Sequence, residues 1–405
     1  MKNNTETEST NLNQPGVCPT GILNQPMQSK LDYFRSRKIS HPKLNKAFDE
    51  LWEAIKSYND GSLILLYGPT GVGKTTIMNF IEKKILQEIK DELLIDRERI
   101  PLVKVEIAGP SAGKFDWKDF YKEVLRELAE FSIDNRVDFS KWQNPQQSVL
   151  PFDNFKQVYS VFTNDNKSTE SRLRTSAEQA LRHRRPEVVL LDEAQHLTAL
   201  SSGRKLLDQQ NVIKSLANRT NTTHALFGSY ELLLFRDLNG QLARRTVNIH
   251  FQRYLKKAGD LQDFEETIWN FQNELPLEKQ PDLVSDVNYF YNGCLGCIGI
   301  LKDWLYRALV KALSENNKTM TMQHLEYTKL EEIKLLKILG ECLDGENKLI
   351  KEKQEASKKL YELLDGPIVL DNGIKVVKNR SASKNKRNVG MRNPTRDPIG
   401  TNSWI

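Results

Sequence analysis

The chain has 405 residues, 39% of them hydrophobic and 28% charged, which excludes a wholly disordered polymer and leaves room for two or three domains. No apolar run approaches the roughly 18 residues of a membrane span, and residues 1–16 carry no hydrophobic stretch behind Lys2, so neither membrane insertion nor a secretory leader is expected and the cytoplasm is the expected location. The net charge of +6 is uneven, because residues 372–405 contribute +7 and leave the preceding 371 at −1.

Residues 1–28, rich in Asn, Gln, Thr and Pro without periodicity, are expected to form a flexible arm. From Pro42, the residues Leu44, Ala47, Phe48, Leu51, Trp52 and Ile55 share one helical face. The strand SLILLY enters a glycine-rich turn, and TTIMNFIEKKIL follows with helical spacing. LVKVEI alternates as a second strand, and WKDFYKEVLRELAEF is amphipathic again. Residues 132–168 are polar and irregular, longer than most ordered loops. A helix over 171–184 feeds the apolar strand EVVLLD, a helix over 204–218 precedes the strand THALFG, and after VNIHF only helical periodicity continues to 338. A charged helix is expected over 343–364.

This alternation predicts an α/β fold, a parallel sheet flanked by helices with right-handed crossovers. The expected divisions are an arm (1–28), an α/β domain (29–255), a small helical domain (256–340), a charged helix and linker (341–371) and a basic tail (372–405). Cysteines 18, 294, 297 and 342 are too few for a disulfide scaffold. Cys294 and Cys297 form a CxxC without a second ligand pair, better read as small buried helix residues.

Gly68, Pro69, Thr70, Gly71, Val72, Gly73, Lys74 and Thr75 match GxxxxGK[ST] between a strand and a helix, with Thr76 next in the helix. Gly71 and Gly73 let backbone N–H groups approach phosphate oxygens, Lys74 neutralises β/γ charge and Thr75 offers a hydroxyl to Mg²⁺, so ATP and Mg²⁺ are the expected ligands. The strand Val188–Leu191 delivers Asp192 and Glu193 to its C-terminal edge. Asp192 is expected to hold Mg²⁺ through water, and Glu193 to act as general base on the attacking water. Ser229, ending the strand HALFG, is either a γ-phosphate contact or a turn-forming serine. Arg244 and Arg245 either reach a neighbouring subunit's nucleotide or form a solvated pair.

With this P-loop, DEAQHL, GSYELL and LARRTVNIHF in order, the sequence resembles AAA+ ATPases. The stretches SRKISHPKLNKAFDEL, VEIAGPSAGKFDWKDFY, RRPEVVLLDEAQHL and VIKSLANRTNTTHALFGSYELL resemble the TnsC/TniB transposition regulators more closely. The resemblance covers about residues 30–335. It implies an AAA+ P-loop domain with a helical lid, and ATP-dependent homo-oligomers, rings or helical filaments, on double-stranded DNA. These would answer a target-selection adaptor, CRISPR-associated or otherwise, and recruit a transposase. It also makes Lys74 and Thr75 the Walker A pair, Asp192 and Glu193 the Walker B pair, Ser229 sensor 1 and Arg245 the arginine finger.

One position departs from the family pattern. Gly299 stands where many AAA+ proteins carry a lid arginine, and Lys302 is the expected substitute for nucleotide contact. The loop 109–114 follows the second strand, where the family places DNA-tracking elements. Lys114 and Ser111 are therefore the expected phosphate contacts, a solvated loop lysine being the plain alternative. The tail, ending in Trp404 and Ile405, is expected to anchor the transposase, with nonspecific DNA attraction as its rival. Two other functions remain open at this point: a replication-initiator or clamp-loader-like ATPase, and a scaffold that binds ATP without hydrolysing it.

Overall fold

The computed structural model describes residues 17–57, 61–110, 115–130, 169–198, 204–236 and 246–364. In chain order these form α1 (Thr20–Leu23), α2 (Met27–Ser36), α3 (Pro42–Ser57), β1 (Leu63–Tyr67), α4 (Lys74–Glu88), α5 (Lys90–Ile95), β2 (Leu102–Glu106) and α6 (Trp117–Glu130). There follow α7 (Glu170–Arg184), β3 (Val188–Asp192), α8 (Arg204–Thr220), β4 (Thr223–Gly228), α9 (Leu233–Arg236) and β5 (Thr246–His250). The helices α10 (Ala258–Asn273), α11 (Val287–Cys294), α12 (Ile298–Ser314), α13 (Met322–Thr328) and α14 (Glu332–Leu364) complete the described chain. The insertion over 132–168 and the tail lie outside the described residues.

The five strands form one parallel sheet in the order β2-β3-β4-β1-β5. Pleating sends alternate residues to opposite faces. Leu63, Leu65, Tyr67, Val103, Val105, Val189, Leu191 and Leu226 join the apolar layer built with α6, α7 and α8. Ile64, Leu66, Leu102, Val188, Leu190, Ala225, Phe227 and Ile249 join the layer built with α3 and α4. A sheet covered on both faces needs continuous apolar strands, which is why LILLY and VVLL read as unbroken hydrophobic runs. α3 obeys the periodicity expected of it: Leu44, Ala47, Leu51, Ala54 and Ile55 are buried.

A third apolar cluster is helical. It gathers Phe264, Ile268 and Phe271 of α10, Phe290 of α11, and Leu301, Trp304, Leu305 and Leu309 of α12. Leu31 and Phe34 of α2 belong to this cluster and not to the sheet, although the sequence places 29–255 in the α/β domain. The expected arm also ends earlier than residue 28. Cys18 is buried, its N–H donates to the Asn273 carbonyl at 2.9 Å, and α1 follows.

Two further differences concern helices. α14 begins eleven residues before the expected start at 343, and α5 has no counterpart in the sequence reading. The chain divides into two units, 1–350 and 351–405; of the second, the structure describes the helical residues 351–364. No helix among the described residues is long and apolar enough to cross a membrane.

Candidate nucleotide site

β1 lies between β4 and β5, so its C-terminal end meets the ends of both neighbours. There the chain turns through residues 68–73 into α4, whose first residue is Lys74. Gly71 (φ 76°) and Gly73 (φ 112°) are left-handed, a conformation that exacts a steric cost from other residues. Gly68 is fixed by proximity instead, since a Cβ there would lie 2.2 Å from the Phe251 carbonyl oxygen. Val72 is buried among α3 and α4 side chains, anchoring the loop from beneath.

Lys74 Nζ donates to the carbonyls of Gly68 (3.0 Å) and Pro69 (2.9 Å). Burial lowers its pKa, while the charges of Glu193 and Asp192 pull the other way. Thr75 Oγ1 donates to Asp192 Oδ2 at 3.3 Å, and Asp192 Oδ1 accepts from the Glu193 N–H at 3.0 Å. Burial chiefly raises the Asp192 pKa. The Glu193 N–H bond opposes this, the Glu193 charge adds to it, and the Thr75 hydroxyl and Lys74 oppose it. The hydroxyl and carboxylate, 117 residues apart in sequence, thus meet as hard oxygen donors. That set fits Mg²⁺, which takes few protein ligands and shares the rest with phosphate and water.

Glu193 is itself left-handed (φ 52°). Its carboxylate accepts from Gln195 Nε2, and Gln195 Oε1 accepts from the Ser229 N–H at 3.1 Å. Ser229 lies at the end of β4 as expected, and its hydroxyl also caps the turn Tyr230–Leu232, accepting from the Glu231 N–H at 3.4 Å. Lys74, Thr75, Asp192, Glu193 and Ser229 therefore converge on one edge of the sheet.

A cavity of about 300 Å³ opens beside them. Pro69, Thr70, Ser229, Tyr230 and Glu231 line one side, and Ile338, Glu341, Cys342, Asp344, Gly345 and Lys348 of α14 the other. Gly345 permits this approach, because a Cβ there would lie 2.1 Å from the Tyr230 ring. α14 is held by Arg253, three residues past β5. Arg253 Nε and Nη2 donate to the two Glu346 carboxylate oxygens at 2.8 and 2.9 Å, and Nη1 donates to the Leu295 carbonyl at 3.1 Å. Nothing local in the sequence marks a role for Arg253 or Gln195. DEAQHL displayed the glutamine, but nothing local marked its partners.

Two expectations meet different structures. Lys302 Nζ donates to the main-chain carbonyls of Arg35 and Arg37, not to the P-loop, so its ammonium ties α12 to the end of α2. Gly299 lies directly against the P-loop. Its N–H donates to the Gly71 carbonyl at 2.6 Å, and a Cβ there would stand 2.5 Å from that oxygen. The position expected for a lid arginine is a backbone contact. Cys294 and Cys297 are buried free thiols of the helical cluster. Ser111, Lys114, Arg244 and Arg245 lie outside the described residues.

A family model described as an AAA domain matches residues 57–234. No curated protein matches the chain in sequence. Among solved structures, the Walker-type ATPase PABY2304 of Pyrococcus abyssi is similar at 15% identity and a TM-score of 0.42, covering 81% of this chain and 79% of its own. The Aeropyrum pernix ORC2 protein, in ADPNP-ADP complexes, gives 12%, 0.42, 73% and 70% in the same order. Domain III of the Thermotoga maritima replication initiation protein DnaA gives 12%, 0.37, 73% and 95%. The parallel sheet, the glycine turn into α4 and the family match together make residues 57–234 an AAA domain with the AAA+ P-loop fold.

Proposed function

We propose that this chain is an ATP-hydrolysing AAA+ ATPase whose turnover is coupled to self-assembly on double-stranded DNA. The observation that supports hydrolysis is the convergence of Lys74, Thr75, Asp192, Glu193 and Ser229 at one strand edge. In this reading the 68–73 amides and Lys74 bind the phosphates, and Thr75 with Asp192 holds Mg²⁺, which supplies positive charge to phosphate oxygens. Glu193 takes the proton of the attacking water, and Ser229 contacts the γ-phosphate. Arg245 acts from a neighbouring subunit, and Ser111 with Lys114 follows the DNA backbone.

Transposition, with a transposase held by the tail and a target-selection adaptor upstream, rests on the sequence resemblance alone. A replication initiator uses the same site chemistry and is the second reading. Nucleotide binding and turnover, measured separately, test the ATPase: Lys74→Ala loses both, whereas Glu193→Gln keeps binding and loses turnover. Equal loss of binding in the two variants would refute the assignment. Titration of two unrelated duplexes at fixed salt tests the rest. Equal affinities with a steep salt dependence support phosphate tracking, and a preference above about a hundredfold favours the initiator.

A further inference from the structure

The Gln195 side chain touches both Glu193 and the main chain just past β4. The orientation of its carboxamide follows from chemistry. The Ser229 N–H can only donate, so the group facing it at 3.1 Å is Oε1, and Nε2 must face the Glu193 carboxylate. The main chain of Gln195 is fixed as well, its carbonyl accepting from Thr198 N at 2.8 Å and Thr198 Oγ1 at 2.7 Å. The neighbouring strand leaves space for this bridge, since a Cβ on Gly228 would lie 2.8 Å from Gln195 Oε1.

We propose that Gln195 is a positioning residue for ATP hydrolysis, a rigid carboxamide strut that orients the Glu193 carboxylate and couples it to the main chain at Ser229. The proposal rests on the ATPase reading above. A donor at Oε2 stabilises the carboxylate and directs Oε1 toward the attacking water. Any shift of the β4 end on phosphate contact moves the Ser229 N–H, and through Gln195 Oε1 it turns the amide that holds Glu193. Hydrolysis thereby answers to the sensing strand through two hydrogen bonds, without contact between Ser229 and Glu193.

The test compares Gln195→Ala and Gln195→Glu with the unaltered chain, measuring kcat, KM, affinity for a fluorescent ATP analogue, and Tm. Gln195→Ala is expected to lower kcat roughly 10- to 100-fold, leaving analogue affinity within about twofold, because its side chain meets Glu193 and the Ser229 main chain and not the 68–73 amides or Lys74. Gln195→Glu keeps an acceptor for Ser229 but replaces the donor to Glu193 by a second carboxylate, so its kcat should fall at least as far as that of Gln195→Ala while KM and analogue affinity stay within about twofold. A merely structural glutamine would instead lower Tm in both variants and lower kcat and analogue affinity together; that result, or an unchanged kcat in Gln195→Ala, overturns the proposal. If the unaltered chain shows no turnover, or Glu193→Gln turns over normally, the ATPase reading itself falls.

Discussion

The Gly299 N–H donates to the Gly71 carbonyl at 2.6 Å, so the first turn of α12 rests on the main chain of the P-loop. Ile300 reinforces the contact from the other side, its Cγ1 lying 2.6 Å from where a Gly71 Cβ would stand. Two backbones this close require glycine at both positions. Placing an arginine at position 299 is therefore expected to do harm. Gly299→Arg and Gly299→Ala should each destabilise the chain by about 1–3 kcal/mol through overpacking, read from urea midpoints. A gain in ATP turnover by Gly299→Arg would contradict this account.

Lys302 offers a cleaner separation of roles. Its ammonium satisfies the carbonyls of Arg35 and Arg37, so Lys302→Ala should retain full affinity for an ATP analogue while losing about 1 kcal/mol of stability. A tenfold loss of nucleotide affinity with unchanged Tm would restore the lysine to the nucleotide site.

Arg253 and Glu346 are nearly dry, with side-chain exposures of 7% and 14%. Removing one partner leaves an uncompensated charge, so Arg253→Met should cost about 3–5 kcal/mol, whereas the double change Arg253→Met with Glu346→Leu should cost much less. A double-mutant cycle on denaturant midpoints reads the difference. Additive losses would mean that the pair is not the tie between α14 and the sheet.

Acid should unfold the chain through its buried histidines. Burial pushes His41 down to about 3 and His224 down to about 4, from an ordinary value of 6.5. The folded form therefore resists a proton that the unfolded chain accepts. Stability is full above pH 6.5 and is lost as pH falls toward 4, by about 3 kcal/mol for each histidine at pH 4. Replacing His224 by Gln should flatten the fall in Tm between pH 6.5 and 4.

Much of this architecture is legible in the sequence, for local reasons. LILLY followed by GPTGVGKT, and VVLL followed by Asp192 and Glu193, carry their strand period, their glycines and their chemistry within thirteen residues or fewer. What escaped is nonlocal or short. The six residues of α5 are too few to show a helical period. The sequence assigns no element to the residues of α2, and only the fold reveals that Phe34 packs on Phe271. Arg253 finds Glu346 across 93 residues, and Gln195 finds Ser229 across 34. Charge and polarity in the sequence announce that such groups need partners without identifying them.

All four cysteines are buried as free thiols, two of them at the junction of α12 and α14. Cys297 precedes α12, and its thiol meets that of Cys342 on α14, beside the cavity that borders the P-loop. The hydrogen bond with the Cys342 thiol and burial raise the Cys297 pKa well above its ordinary value, while the same bond lowers that of Cys342, so it is Cys297 that forms little nucleophilic thiolate at neutral pH. With both side chains buried, the closed chain should react slowly with a maleimide or an aromatic disulfide reagent. Once α14 lifts from Tyr230, two thiols enter water together and become modifiable. The chain thus carries its own optical clock for the opening of this face, in which the rate of colour release counts departures of one helix without any label having been engineered.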